Sequence, residues 1–287
     1  MGGVCSSKDA AVAAAPDESE VALEYASTCC IPTEWTGLEL LSKIDYNHDS
    51  KIFEFALPPG RDSLDLPVCA CLLVCAPKRG KDGGDAVRPY TPTSSNEMKG
   101  RFQLLIKRYP EGCVSAYIHD AAVGDKVLFK HIKFNVKLQY PFQKKTITML
   151  CMGTAITPMY QALHKLLSTK DDTTEIVLIY GNRSPKDILL RDEIDAYAKL
   201  HADRFKVVYV VGESPDDKPE GWTGETGWID KAKVEQYAYP PSADTMIFFC
   251  GLPAFYDAFC GPRNEKNVKE GTVLHELGYT DEMVSKF

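Results

Sequence analysis

The stretch "TMLCMGTAITPMYQALHKLL", residues 148–167, begins like a buried strand and ends like an amphipathic helix. Its first five residues are mostly apolar. Apolar residues then recur with the spacing i, i+3, i+4, i+7, i+8, which places them on one face of a helix. That face consists of Met159, Ala162, Leu163, Leu166 and Leu167. A strand that passes directly into a helix is the repeating unit of doubly wound parallel sheets.

The junction between strand and helix reads Gly-Thr-Ala-Ile-Thr-Pro, residues 153–158. Thr157 is suited to cap the helix, and Pro158 is suited to its first position. The backbone N–H groups of Gly153 and Thr154 are then free to face an anion or an amide. The sequence therefore predicts a ligand at this turn.

The same alternation continues through residues 144–287. Strand-like runs are separated by helical segments, and the runs are "TITMLCM", "EIVLIY", "FKVVYVV" and "TMIFFC". A second junction, "FFCGLPAF", ends a buried strand at Cys250-Gly251 and starts a helix at Pro253. Ligands of such sheets bind at the carboxyl ends of the strands. Residues 144–287 are thus predicted to form a doubly wound, nucleotide-binding α/β domain.

Residues 37–143 show a different pattern. Phe53, Phe55 and Leu57 alternate with polar or small residues, as do Phe102, Leu104 and Ile106. This period of two is typical of antiparallel strands, and turn signals lie between the runs. We expect an antiparallel β-barrel here, so that the fold class is α+β followed by α/β.

The bulk properties exclude several classes of protein. The 287 residues are 44% hydrophobic and 25% charged, which is ordinary for a globular enzyme. The net charge of −7 argues against nucleic-acid binding, because no overall basic field is present. The ten cysteines show neither a disulfide framework nor zinc spacing, and we interpret them as reduced, mostly buried thiols. We expect no metal site.

The amino end, "MGGVCSSK", carries a lipidation pattern. Gly2 follows the initiator Met with Ser6 at the favoured position for N-myristoylation, and Cys5 is available for palmitoylation. One myristoyl chain binds membranes only marginally, so Cys5 has to supply the second signal. Residues 1–36 are therefore predicted to be a flexible, acylated tail on the cytoplasmic face of the endoplasmic reticulum or mitochondrial outer membrane. A chance match in a disordered tail is the alternative.

Several motifs in order carry a resemblance to a known family. They are "DSKIFEFALP", "LPV", "RPYTPTS", "LLIKRY", "GTAITPM", "GNRSPKDILLRDEI", "FFCGLP" and "HELGYTDEMVSKF". With these motifs the chain resembles the ferredoxin–NADP reductase superfamily, and most closely the NADH–cytochrome b5 reductases. The likeness spans about residues 39–287, nearly all of the chain outside the tail.

The resemblance implies FAD in the barrel domain. Arg88 would contact the phosphate region of the flavin, Tyr90 would lie against its ring, and Thr91 would hydrogen-bond near N5. The turn 112–115 would offer N–H groups to the pyrophosphate at the start of a short helix. The full set implied for FAD is Arg88, Pro89, Tyr90, Thr91, Leu105, Lys107, Gly112, Cys113, Val114, Ser115 and Thr157.

The resemblance also implies NADH in the second domain. The residues implied for it are Gly153, Thr154, Asp187, Cys250, Gly251 and Pro253. Thr91, Lys107 and Cys250 would lie at the reacting centre. The implied reaction takes hydride from NADH and passes single electrons to a haem protein, for which the family suggests cytochrome b5, with the protein as a monomer. Asp187 would hydrogen-bond the adenosine ribose and favour NADH. Arg183 is a competing signal, because a guanidinium group in this region can bind the 2′-phosphate of NADPH.

The chain departs from the family pattern at several positions. Ala155 stands where the family usually has Gly, and Leu252 where it has Pro. After "LPV" this chain has Cys69 and Cys71 instead of Gly and His, and "HIKFNVKLQY" replaces a loop rich in Gly and Pro. Two alternatives therefore stay open: a degenerate relative that acts as an interaction module, and a flavin reductase that serves another acceptor, such as nitrate reductase.

Lysines are concentrated between residues 126 and 170, a stretch without Asp or Glu. They are Lys126, Lys130, Lys133, Lys137, Lys144, Lys145, Lys165 and Lys170. In an acidic protein this segment is a candidate docking face for an acidic haem protein. Ordinary solvated side chains, some of them serving nucleotide phosphates, are the alternative.

Overall fold

The structure is a computed structural model that describes residues 29–132, 138–214 and 220–287. The strands are β1 (Thr36–Asp45), β2 (Ser50–Ala56), β3 (Leu72–Ala76), β4 (Ala86–Tyr90), β5 (Arg101–Lys107), β6 (Lys126–His131), β7 (Thr146–Met152), β8 (Glu175–Gly181), β9 (Phe205–Val211), β10 (Glu225–Thr226), β11 (Thr245–Cys250) and β12 (Val284–Lys286). The helices are α1 (Cys113–Asp120), α2 (Ile156–Ser168), α3 (Arg191–Leu200), α4 (Lys231–Tyr237), α5 (Pro253–Phe259) and α6 (Val273–Glu276).

The first six strands form one antiparallel sheet in the order β4-β3-β6-β1-β2-β5. The chain beyond β4 meets the far edge at β5, where the Thr93 N–H donates to the Gln103 carbonyl at 2.9 Å. The sheet therefore curls into the predicted barrel. Its interior holds Phe53, Phe55, Phe102 and Phe129, all with 0% exposure. The predicted period of two in β2 and β5 is confirmed.

The barrel begins earlier than the sequence predicts. Residues up to 36 are expected to be a flexible tail, but Cys29, Cys30 and Ile31 are buried in the barrel core. The Cys30 N–H donates to the Leu64 carbonyl at 3.0 Å, which ties this segment to the barrel wall. The lipidation predictions at Gly2 and Cys5 lie outside the described residues, as do Lys133 and Lys137.

The second sheet is parallel throughout, in the order β10-β9-β8-β7-β11-β12. One of its faces packs against α2 and α3 through residues such as Leu163 and Ile194. The other face packs against α4 and α5 through residues such as Val234 and Phe255. Helices on both faces confirm the doubly wound fold.

The strand order places the two predicted junctions side by side. The chain runs outward from β7 to β8 and β9, then returns to lay β11 on the other side of β7. Cys151 of β7 pairs directly with Cys250 of β11. Crevices at such a reversal, beyond the carboxyl ends of the strands, bind ligands in doubly wound sheets.

Two local predictions are wrong in detail. Thr157 does not cap α2, because the helix starts at Ile156 after a 3-10 turn at Gly153–Ala155. The spacing of Cys69, Cys71 and Cys75 predicts that they alternate along one strand, but β3 starts at Leu72, so Cys69 and Cys71 lie before it. Cys69 instead occupies a loop with a left-handed backbone, φ +64°.

All cysteines in the described ranges are free thiols, and most are buried, as predicted. Within those same ranges, no helix has the length and apolar character that a membrane crossing requires.

Candidate functional site

A cleft of about 780 Å³ lies between the two domains. Its barrel wall includes Pro89, Tyr90, Thr91, Leu105 and Lys107. Its second wall includes Gly153, Thr154, Thr157, Asp187, Cys250 and Gly251. The volume falls in the range typical of small-molecule sites. Most residues predicted for the two cofactors thus meet in one cavity.

The barrel wall comes from the ends of β4 and β5. Pro89 is exposed and Tyr90 is half-buried, and burial raises the pKa of the Tyr90 phenol above its usual range. Tyr90 therefore stays neutral over the physiological range and offers an apolar ring with a hydroxyl. Leu105 is buried beneath the cleft at 4% exposure.

The opposite wall starts with the turn after β7. Gly153 has a left-handed backbone, φ +53°, which glycine adopts without strain. The Tyr180 hydroxyl donates to the Gly153 carbonyl at 3.0 Å and fixes the turn from below. Thr154 Oγ1 lies 3.3 Å from the Tyr109 hydroxyl of the barrel. The turn is therefore held from both domains.

Ala155 lines the cleft beside this turn. Its backbone is right-handed, φ −67° and ψ −2°, so the methyl group causes no conformational strain. The left-handed residue of the turn is Gly153. Any effect of Ala155 on ligand binding must therefore come from the space that its methyl group takes at the cleft wall.

Replacing Ala155 with glycine is accordingly expected to lower the Michaelis constant for NADH severalfold without changing flavin content. The gain comes from the space vacated by one methyl group, not from relief of strain. Steady-state kinetics with the purified variant measure it. An unchanged or raised constant would mean that the cleft is shaped around the alanine.

The second junction supplies the floor of the cleft. Cys250 and Gly251 line it, whereas Pro253 is exposed and starts α5 outside the lining. A Cβ atom on Gly251 would lie 2.5 Å from Cδ1 of Phe255, so the backbone here needs glycine. Leu252, at 65% exposure, lies at the rim.

Five residues predicted for FAD lie outside the cleft lining: Arg88, Gly112, Cys113, Val114 and Ser115. Arg88 is exposed on β4, next to Pro89 but on the opposite side of the strand. The other four begin α1, an eight-residue helix with Gly112 at its N-cap. The first N–H groups of a helix lack intrahelical partners and favour an anion.

The start of α1 fits a phosphate group. A Cβ atom on Gly112 would lie 2.3 Å from Ser115 Oγ and 2.9 Å from Tyr109 Cβ. Only glycine therefore leaves the backbone open at this point. The Ser115 hydroxyl accepts from the Tyr109 N–H at 3.3 Å, which holds the turn against the end of β5.

Lys107 lies at the centre of an ionic cluster between the domains. Its ammonium is 2.6 Å from an Asp49 carboxylate oxygen in the barrel and 3.4 Å from Asp187 Oδ1 in the second domain. His48 Nε2 is also 3.4 Å from Asp187 Oδ1. The other Asp187 oxygen, Oδ2, accepts from the Ser184 hydroxyl at 2.5 Å. The cluster ties the two cleft walls together.

The charges in this cluster shift each other's pKa. Burial works to lower the pKa of Lys107, but the hydrogen bond and charge of Asp49 outweigh it and raise the pKa. Burial likewise works to raise the pKa of Asp49, yet the Lys107 and Ser50 hydrogen bonds lower it. Both groups therefore stay charged through the neutral range.

His48, Asp49 and Asp187 bring their ligand-type atoms within 4.8 Å of one another. The Lys107 ammonium already supplies a positive charge to both carboxylates. The arrangement is thus an ion-pair cluster built around lysine.

The cleft also contains residues that the sequence analysis did not select. They include Tyr109, Asn182, Glu213, Trp228, Arg263 and Phe287, together with Arg183, the competing NADPH signal. Asn182 and Arg183 directly follow β8. Because ligands of parallel sheets bind at the carboxyl ends of the strands, this position in the sequence is a signal for both residues. Trp228 and Arg263 lie on loops whose sequence gives no comparable signal.

Asn182 lines the cleft directly after β8. Its side-chain amide atoms are buried beside the Tyr180 phenol and are not open to the cleft. Asn182 therefore contributes to the shape of the cleft wall.

The comparisons with known proteins agree with this geometry. A family model described as an oxidoreductase FAD-binding domain matches residues 37–137. Another, described as an oxidoreductase NAD-binding domain, matches residues 149–261. The two matches fall on the barrel and on the parallel-sheet domain.

Named relatives cover most of the chain. NADH-cytochrome b5 reductase 2 of Debaryomyces hansenii is 38% identical over 259 residues, which is 88% of this chain and 83% of that protein. NADH-cytochrome b5 reductase 1 of Dictyostelium discoideum is 40% identical over 230 residues, covering 80% and 77%.

Solved structures show the same fold. The cytochrome b5 reductase domain of Ulva prolifera nitrate reductase superposes with a TM-score of 0.67 at 32% identity, covering 79% of this chain and 90% of that one. The CS-b5R domains of human Ncb5or give a TM-score of 0.71 at 23% identity, covering 88% and 69%.

Proposed function

The chain belongs to the NADH–cytochrome b5 reductase family, and we propose that it oxidises NADH through bound FAD and passes the electrons to cytochrome b5. The observation that carries this proposal is the cleft, in which Tyr90 and Thr91 of the barrel face Gly153 and Cys250 of the second domain. The walls come from different domains, so a cofactor bound to each wall would meet the other in the cleft.

When bound, NADH supplies a hydride and FAD releases the electrons one at a time. The residues of the chain bind, orient and shield the two cofactors. Tyr90 and Thr91 would hold the flavin edge, and the N–H groups at the start of α1 would hold its pyrophosphate. Gly153, Thr154 and Gly251 would let the nicotinamide approach the backbone closely. No side chain has to act as a general base, because a hydride carries its own electron pair.

One experiment tests this function directly. The purified protein is expected to be yellow and to bleach when NADH is added without oxygen. Added cytochrome b5 should then be reduced, at a rate that depends on the NADH concentration. A colourless protein that cannot be reconstituted with FAD would contradict the proposal and favour an interaction module.

The protein is expected to use NADH at least about tenfold more efficiently than NADPH, since a carboxylate near the ribose repels a 2′-phosphate. Asp187 is the proposed carboxylate. It lines the cleft, although it also pairs with Lys107. Catalytic efficiencies with both nucleotides, for the parent and for Asp187→Asn, measure this. Equal or better use of NADPH by the parent would show that Asp187 lacks this role.

We also propose a docking face for the acceptor on the outside of the barrel. Lys130 of β6, Leu73 of β3 and Pro89 of β4 form one row across the sheet. Residues in such a row point to the same face, and the row spans two strand spacings, about 10 Å. Because Pro89 lines the cleft, Lys130 lies close to the proposed flavin edge.

Not all lysines of the segment belong to that face. Lys144 donates to the Ala243 carbonyl at 2.7 Å, and Lys145 pairs with Asp244 at 2.6 Å. Both lie where β7 begins, at the edge of the sheet opposite the cleft. They therefore serve as a control for the docking face.

Changing Lys130, Lys133 and Lys137 to Glu is expected to slow cytochrome b5 reduction about tenfold at low salt, because charge steering governs such encounters. Ferricyanide reduction should stay unchanged, and the difference should shrink as salt is added. Lys144→Glu with Lys145→Glu is the control and should leave both acceptors unaffected. Equal slowing with both acceptors would refute docking.

We also propose that the amino terminus is acylated and that the protein is a monomer. Acylation at Gly2 and Cys5 would hold the protein, as a monomer, at the cytoplasmic face of the endoplasmic reticulum or mitochondrial outer membrane. Metabolic labelling with alkyne-tagged myristate and palmitate tests the first part, with Gly2→Ala and Cys5→Ser as controls. Absence of label in the parent protein would refute acylation.

A further inference from the structure

The Gln161 side chain of α2 bridges the two domains through both ends of its amide. Its Oε1 accepts from the Cys69 N–H at 2.7 Å, and its Nε2 donates to the Pro92 carbonyl at 2.8 Å. The two partners lie 92 and 69 residues away in the chain. Both partner groups are backbone groups of the barrel domain. The contact therefore fixes the backbone of the two barrel loops that contain Cys69 and Pro92.

The amide orientation follows from the partners. Cys69 presents an N–H and Pro92 presents a carbonyl, so only one placement of the amide oxygen and nitrogen satisfies both. A carboxylate of the same shape could accept from Cys69 but would face the Pro92 carbonyl without a donor. The site is therefore specific for an amide.

Both barrel segments border the cleft. Pro92 directly follows Tyr90 and Thr91, which line it, and Cys69 lines it as well. Two further features hold Cys69 in this position. Its left-handed backbone, φ +64°, is rare for a residue other than glycine, and its thiol donates to the Pro158 carbonyl of α2 at 3.3 Å.

Through α2, Gln161 is also connected to the turn at Gly153–Ala155. The turn continues directly into α2, because the Ile156 N–H bonds back to the turn carbonyls. Gln161 lies six residues beyond Ala155, about 9 Å along a rigid helix. A shift of α2 against the barrel therefore moves Gly153 and Thr154 relative to Tyr90 and Thr91.

We propose that Gln161 is a positioning residue that sets the spacing between the nicotinamide-side turn and the flavin-side segment. This inference rests on the proposed function. Hydride transfer depends steeply on the distance between the reacting atoms, and a misplacement of about 1 Å can cost about 100-fold in rate. Gln161 itself contacts neither reacting ring; it acts through Cys69, Pro92 and the turn.

Gln161→Leu and Gln161→Glu test the proposal, with Gln139→Leu as the matched control. Gln139 Nε2 donates to the Val68 carbonyl at 2.8 Å, next to Cys69, but Gln139 does not belong to α2. In Gln161→Leu we expect flavin reduction by NADH to slow about 10- to 100-fold. FAD content and the dissociation constant for NADH should change by less than about threefold, because the residues that contact the cofactors are intact.

Two further readouts separate positioning from general damage. Adding NAD⁺ to the dithionite-reduced protein gives a long-wavelength absorbance band when the two rings stack, and this band should be lost in Gln161→Leu. Amide exchange of the peptide around Cys69 should accelerate about tenfold, since its N–H loses its partner. In Gln161→Glu the band should be lost at pH 8 and return as the pH falls, because protonation of the carboxyl restores a donor to Pro92. Exchange around Cys69 should stay close to that of the parent at each pH, because the carboxylate still accepts from the Cys69 N–H.

An unchanged band and reduction rate in Gln161→Leu would overturn the proposal. So would faster amide exchange with an unchanged band, because Gln161 would then only stabilise the loop. A parent protein that does not bleach with NADH would refute the proposed function and this inference together. A bleaching parent with an unaffected variant refutes the role of Gln161 alone.

Discussion

Replacing Gly112 with alanine is expected to weaken FAD binding at least about 100-fold, so that the variant purifies nearly colourless. A Cβ atom there would lie 2.3 Å from Ser115 Oγ, 2.9 Å from Tyr109 Cβ and 3.1 Å from the Tyr109 carbonyl oxygen. The start of α1 must shift to relieve these contacts, and the N–H groups proposed for the pyrophosphate shift with it. Losing about two charge-assisted hydrogen bonds costs about 3 kcal/mol or more.

The measurement is the ratio of flavin to protein absorbance after gel filtration, followed by titration of the apoprotein with FAD. Gly37→Ala is the matched control, because a Cβ atom on Gly37 would meet its nearest atom, Lys126 Cβ, at an ordinary 3.5 Å. That variant should retain its flavin. Full flavin content in Gly112→Ala would show that the cofactor does not use the start of α1.

Replacing Lys107 with methionine is expected to raise the Michaelis constant for NADH at least about tenfold and to lower the unfolding midpoint by about 5 °C. The variant leaves the Asp49 and Asp187 carboxylates facing each other between the domains, without the ammonium that lies 2.6 and 3.4 Å from them. The Asp187 side chain is only 9% exposed, and without the ammonium only the Ser184 hydroxyl and His48 remain beside its charge, so the loss is costly.

Lys51→Met is the control for this variant. Lys51 also pairs with a barrel carboxylate, but its partner Asp45 is 79% exposed, and such surface pairs contribute little. Combining Lys107→Met with Asp187→Asn should restore part of the lost stability, as expected for interacting groups. Additive losses in the double variant would show that Lys107 and Asp187 act independently.

The stability from the Lys107 pair should also depend on pH in a defined way. The lowered pKa of Asp49 means that its contribution is present above about pH 4 and lost as the pH falls through the folded-state value. The raised pKa of Lys107 means that its contribution is present below about pH 10 and lost as the pH rises through the folded-state value. The difference between the parent and Lys107→Met should therefore be constant from about pH 5 to 9.

The sequence alone was sufficient to predict both sheets and the two strand-to-helix junctions at Gly153 and Gly251. These features depend on periods of two and 3.6 residues and on turn residues, all of which are local in the chain. Most residues that the ordered motifs select line the cleft. Those of the second domain do so because residues that follow parallel strands meet at the same edge of the sheet.

Only the tertiary structure decided which residues meet across the domain boundary. Lys107 with Asp187, and Gln161 with Cys69 and Pro92, lie 69 to 92 residues apart, and their pairing depends on how one domain rests on the other. The burial of Ile31 in the barrel likewise requires a folded barrel to receive it. Local periodicity determines the elements of this protein, whereas contacts between elements depend on rigid-body placement, which no local pattern encodes.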